Sequence, residues 1–149
     1  MKITICASVD FAPKIKEVKE SLEKRGWEVN IPYVSEMIIN GKLFLEDFLR
    51  EKGLSGDIEI RRAQKVDMIR RYWEFIKNSD AILIVNESKK GIDGYIGGSV
   101  LIEMGFAYGH NKKIYLYNDL PIRSERIHYL DEIIDMKPIV INGDLNKIN

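Results

Sequence analysis

The chain has 149 residues, with 23 basic side chains balanced by 23 acidic ones, 45% hydrophobic residues and a single cysteine. A chain of this length folds as one domain and buries roughly two-thirds of its unfolded surface, so residues 1–149 read as a single unit. The even charge argues against a general affinity for nucleic acid or for an anionic membrane. No stretch approaches the ~18 apolar residues of a membrane span, and the apolar run in Met1-Lys2-Ile3-Thr4-Ile5-Cys6-Ala7 is short for a signal peptide. The sequence therefore reads as cytoplasmic, with a small molecule or another protein as its partner. Cys6, standing alone, excludes an internal disulfide and a multi-cysteine metal site; its ordinary role is that of a small buried hydrophobe on a strand.

In chain order, Ile3 to Ala7 is a short β-branched strand leading into Ser8-Val9-Asp10. A helix from Pro13 to Arg25 follows, with Ile15, Val18 and Leu22 on one face and Gly26 as its stop. Trp27 to Ile31 alternates as a second strand that ends at Pro32, and the pattern then loosens through Asn40-Gly41 and Gly53 to Gly56, with a helical piece around Leu43 to Leu49. From Ile58 to Lys77 the spacing predicts a long amphipathic helix carrying Ile58, Val66, Ile69, Trp73 and Ile76 on its apolar side and Arg61, Arg62, Lys65, Arg70 and Arg71 on a solvated one. Asp80 to Asn86 is a continuous apolar run bounded by polar residues, the mark of a strand covered on both faces and hence of a parallel sheet; Asp80 fits a residue that satisfies backbone donors at the strand start. After a loop from Glu87 to Gly94 the chain predicts an apolar helix from Ser99 to about His110, a strand at Lys113 to Tyr117, a helical turn near Glu125 to Leu130 and a last strand at Pro138 to Ile141. Strands alternating with helices in this way give an α/β fold, a doubly wound sheet of about five mainly parallel strands with helices on both faces.

Such sheets bind ligands beyond the carboxyl ends of their strands, where the strand order reverses. The loops to consider are those after the first and third strands, Ser8 to Asp10 and Asn86 to Ser99. The second contains Gly91, Gly94, Gly97 and Gly98 and opens a helix whose first N–H groups can hold an anion or a sugar hydroxyl. It is neither Gly-x-Gly-x-x-Gly nor a P-loop, so dinucleotide binding and phosphoryl transfer lack their usual mark. Between Gly94 and Asn111 the ionisable carboxylate is Glu103, set among Val100, Leu101, Ile102, Met104, Phe106, Ala107 and Tyr108. Desolvating a lone charge is costly, so this Glu either faces a cleft or stabilises the start of its helix. The helix dipole favours its ionised form, and burial opposes it. His110 and His128 have no partners at ligand spacing and read as surface or helix-end residues.

The stretches Ser79-Asp80-Ala81-Ile82-Leu83-Ile84-Val85, Gly97-Gly98-Ser99-Val100-Leu101-Ile102-Glu103-Met104-Gly105-Phe106-Ala107 and Lys112-Lys113-Ile114-Tyr115-Leu116 resemble the nucleoside 2-deoxyribosyltransferase superfamily, which includes nucleoside 5'-monophosphate N-glycosidases. The likeness covers the central third of the chain, with a weaker echo in Cys6-Ala7-Ser8. It implies a flavodoxin-like fold and cleavage or transfer at the N-glycosidic bond of a nucleoside or nucleotide through a covalent glycosyl-enzyme on Glu103. It also implies no metal or cofactor, and a homo-oligomer with sites near subunit interfaces. Ser8, Asp10, Asn86, Gly97, Gly98 and Ser99 are the expected substrate-binding residues, and Glu103 is expected at the mouth of a pocket faced by the Ser8 to Asp10 loop. Trp73, Tyr72 and Phe75, with Tyr95 and Ile96, supply the expected aromatic and apolar surface for assembly. Two positions depart from the family: Tyr72 stands where its members carry an Asp on the helix before the central strand, and Gly97 stands where some transferases place an acid. The alternative role is a nucleotide sensor that uses the same cleft without cleaving its ligand.

Overall fold

The computed structural model describes residues 1–54 and 67–149. Five parallel strands, β1 (Lys2–Cys6), β2 (Glu28–Asn30), β3 (Ala81–Ile84), β4 (Lys113–Leu116) and β5 (Ile139–Val140), form one sheet in the order β2-β1-β3-β4-β5. This is the flavodoxin-like doubly wound arrangement, and the order reverses between β1 and β3. The helices among the described residues are α1 (Ala12–Glu23), α2 (Tyr33–Ile39), α3 (Leu45–Leu54), α4 (Met68–Lys77), α5 (Gly98–Gly109) and α6 (Leu130–Asp135).

The two-residue period of the strands sorts their side chains into two cores. Ile3, Ile5, Leu83 and Tyr115 point to one face and meet Ile15, Val18 and Leu22 of α1. Cys6, Ile82, Ile84, Ile114 and Leu116 point to the other and meet Tyr72 and Ile76 of α4, Val100, Met104 and Ala107 of α5, and Ile133 of α6. All four residues of β3 are buried, as its unbroken apolar sequence requires of a strand covered on both sides. Asp80 is bonded in the expected manner, its Oδ2 accepting the Lys2 N–H at 2.7 Å while its own N–H donates to the Lys2 carbonyl. That clamp sets the β1–β3 register from the amino end.

Three expectations are corrected. The segment after Pro32 folds as α2, and the helical piece around Leu43 to Leu49 is the longer α3. Of the long helix expected over Ile58 to Lys77, α4 is the described part; Ile58, Arg61, Arg62, Lys65 and Val66 lie outside the described residues. On α4 the buried stripe is Tyr72 and Ile76 with Phe75 against it, and Ile69 is 61% exposed. The apolar residues of α4 cover more than half its circumference, so periodicity admits two stripes, and contact with Cys6 and Ile82 selects the one through Tyr72. Tyr72 and Ile96 are therefore core rather than free surface. Finally, Glu125 to Leu130 holds turns around a Ser124–Ile127 bridge, and the helix starts later, as α6, with Asp131 and Glu132 in its first turn where they complement the helix dipole.

Candidate functional site at the carboxyl ends of β1 and β3

The crevice at the strand reversal is walled by residues that contact one another in a ring. At its floor, the carboxyl of Glu103, in the second turn of α5, meets the thiol of Cys6 at the end of β1. Two residues further along the chain, Ser8 donates from Oγ to Asp10 Oδ2 at 2.7 Å. Lys89, arriving from the loop after β3, donates from Nζ to Ser8 Oγ at 2.7 Å and pairs with Asp10 Oδ2. The same Nζ lies 5.6 Å from the centre of the Tyr95 ring. A Cβ on Gly97 would sit 3.3 Å from that ring, so Tyr95 packs against the residue that caps α5 and leads back to Glu103.

Glu103 is half-buried, and its Oε2 is buried without a hydrogen-bond partner. Burial pushes its carboxyl up to about 8, relieved only in part by the weakly donating Cys6 thiol. The neutral acid is thus the resting form near pH 7. Cys6 itself, fully buried, is held well above the usual thiol range by burial and then by the Glu103 charge. Burial likewise raises Tyr72, with the charges of Cys6 and Glu103 adding to it, and the Tyr72 hydroxyl donates to the Ile5 carbonyl at 3.2 Å. Tyr72, Cys6 and Glu103 form one buried protic cluster in which each resists ionisation of the others. Native proteins leave few buried polar atoms unpaired, and those that remain call for an explanation, such as a catalytic role or an absent partner.

Asp10 behaves oppositely. Burial raises its carboxyl, but hydrogen bonds from Lys89 and Ser8 outweigh that and hold it below the usual carboxylate range. The α5 helix begins at Gly97 with extended backbone (φ −86°, ψ 168°) and no side-chain cap. The amides of exposed Gly98 and Ser99 thus belong to the uncapped first turn, where N–H groups accept an anion or a hydroxyl.

Asn86 has a different placement from its companions. It is fully buried, its Oδ1 accepts the Asn118 N–H at 2.9 Å, and its Nδ2 donates to the Asp119 carbonyl at 2.9 Å and, at longer range, to the carbonyls of Asn118 and Gly94. Its amide is spent joining the loops after β3 and β4. Gly94 completes that junction at φ +63°, where a Cβ would stand 2.4 Å from the Asp119 carbonyl oxygen, so glycine is required for both backbone and space. The structure thus brings together Ser8, Asp10, Gly97, Gly98, Ser99 and Glu103, and sets Asn86 behind them as a brace.

Two shallow concavities stand out among the described residues, one lined by Lys90, Ile92 and Ser124 to Arg126, the other by Asp67, Ile69, Arg70, Trp73 and Phe106. Glu103 lines neither, contrary to the pocket mouth expected of it. Lys89 and Cys6 are the site residues that sequence reasoning misses. Lys89 lies 79 positions from Asp10, beyond any local pattern. Cys6 has the small buried role expected of it, and gains a second through its contact with Glu103.

No family model matches the chain, and no curated protein matches it. Among solved structures it is similar to the CMP N-glycosidase BcmB of Clostridium botulinum, at 15% identity over 95% of this chain and 90% of that chain, with a TM-score of 0.46.

Proposed function

We propose that this chain cleaves or transfers at the N-glycosidic bond of a nucleoside or nucleotide, with Glu103 as the nucleophile. The observation that carries the reading is the buried, unpaired Oε2 of Glu103 at the strand-reversal crevice, faced by uncapped helix amides. The motif around Glu103 supports it. In the reaction the Glu103 carboxylate attacks C1' of the sugar and the C1'–N bond breaks, its electron pair leaving with the base, which takes up a proton. Water or a second base then attacks C1', and the Glu103 carboxylate is released. Ser8, Asp10, Gly97, Gly98 and Ser99 hold sugar or phosphate oxygens, and Asn86 positions the loop that carries the last three.

With a carboxyl pushed up to about 8, roughly a tenth of Glu103 is anionic at pH 7. The nucleophile is therefore scarce in the empty site, and turnover is slow at neutral pH. The same protonation favours a second reading, a sensor that binds a nucleotide without cleaving it, and Tyr72 in the place of the family's Asp supports it too. Release of free base from deoxynucleosides, ribonucleosides and their 5'-monophosphates separates the two. Glu103→Ala and Glu103→Gln should lose base release by orders of magnitude while retaining binding. Equal activity in wild type and Glu103→Ala removes the mechanism, and binding without turnover on any substrate moves the chain to the sensor class.

The chain also assembles with a second copy in this reading. The described residues include no helix long and apolar enough to cross a membrane. Yet α5 is apolar around its circumference, with Ile102 47% and Tyr108 54% exposed, a pattern that suits a helix buried on all sides.

A further inference from the structure

The polar group at the outer lip of the crevice has a charge arrangement that bears on which substrates enter. Asp10 and Lys89 neutralise one another, their side chains 26% and 20% exposed, and Ser8 hydrogen-bonds both. Following the wall from Glu103 in either direction, through Cys6 and Ser8 or through α5, Gly97 and Tyr95, this group is the part most distant from the nucleophile. A pentose with C1' at Glu103 extends furthest from that atom through C4' and its exocyclic C5' arm. The 5' substituent therefore falls at Asp10 and Lys89.

We infer that Asp10 selects a free 5'-hydroxyl, so that the substrate class is the nucleoside rather than the nucleoside 5'-monophosphate; this rests on the N-glycosidic reading above. A carboxylate offers about four lone-pair sites. Those of Asp10 take bonds from Lys89, from Ser8 and from its own backbone N–H, which leaves one for a donor such as a hydroxyl. A phosphate is acceptor-only once ionised and has nothing to donate to it. It would instead bring a dianion against a fixed negative charge, and the cation beside it is already engaged by that charge. Lys89 is a positioning residue here, holding the Asp10 carboxylate ionised and aimed.

The test compares kcat/KM for base release from nucleosides and from their 5'-monophosphates in wild type and Asp10→Asn. Asparagine keeps the size of the side chain and removes its charge, which frees Lys89 for a phosphate. Wild type should prefer nucleosides by tenfold or more, and Asp10→Asn should shift the ratio toward monophosphates by tenfold or more, with a dependence on salt that the wild type lacks. A wild-type preference for monophosphates, or an unchanged ratio in Asp10→Asn, overturns the inference. If no substrate releases base, the N-glycosidic reading fails separately, and thermal shift then decides the role of Asp10. Stabilisation of wild type by nucleosides alone, moving to monophosphates in Asp10→Asn, supports it; any other pattern overturns it.

Discussion

Glu103 and Cys6 meet where β1 ends, and the meeting is unequal: the thiol donates weakly to the carboxyl, while Glu103 Oε2 has no partner. The carboxyl sits at about 8 as a result, which couples the fold's stability to pH. The unfolded chain loses this proton near the ordinary carboxylate value of 4.5, whereas the folded chain keeps it to about 8. Between those values the folded state binds more protons, so the contribution of Glu103 is fully present below about 4.5, falls as pH rises through the window and levels off above about 8. Glu103→Gln removes the titration, and its Tm should match wild type near pH 5 and exceed it at pH 8.5, by the equivalent of about 1–3 kcal/mol. Parallel Tm curves for the two proteins across pH 5 to 8.5 would sink the assignment.

The same carboxyl governs rate. Attack on C1' requires the anion, so base release should climb with pH and level off near pH 8. Cys6→Ser places a stronger donor on Glu103 and should move that rise to lower pH, while Cys6→Ala withdraws the donor and should move it higher. A merely structural role for Cys6 would lower stability in both variants and leave the midpoint where it is. The pH profile of kcat/KM distinguishes the two.

Asn86 and Gly94 test the brace behind the site. Asn86→Ala strips the Asn118 N–H and the Asp119 carbonyl of their bonds in a buried place, at a cost of about 2–4 kcal/mol in unfolding free energy measured by denaturant. Gly94→Ala should be as damaging, since it combines a positive φ with a Cβ driven into the Asp119 carbonyl. If Asn86→Ala unfolds like wild type but binds substrate poorly, its side chain serves the ligand after all.

Where the sequence carries a strong period, it and the structure agree. The unbroken run of β3 announces a strand covered on both faces, and Ile15, Val18 and Leu22 mark the buried face of α1 as drawn. The early position of Glu103 on an apolar helix after β3 was equally plain. Legibility fails where the decisive information is tertiary. The face of α4 is chosen by Cys6 and Ile82, which no property of the helix reveals. Pro32 caps α2, a short helix whose one buried residue is Ser35, so no apolar stripe announces it. The Asp10–Lys89 pair links loops that meet only because β1 and β3 are neighbours in the sheet.

The last prediction concerns assembly through the α4–α5 face. Ile69 and Trp73 are one helical turn apart on α4, and Ile102 and Phe106 are one turn apart on α5, so these side chains can share one surface. Ile69, Trp73 and Phe106 do line one shallow concavity there. Ile69 and Ile102 are 61% and 47% exposed, an arrangement that leaves apolar area uncovered in a single copy. The 17.3 kDa chain should therefore sediment as a dimer or larger at micromolar concentration. Ile102→Lys places a charge at the centre of that face and should shift the protein toward monomer. Because Ile102 lies largely outside the core, the intrinsic stability of the monomer should change by less than about 1 kcal/mol. A single 17.3 kDa species in wild type, unaltered by Ile102→Lys, would leave the exposed face without a partner and remove the assembly.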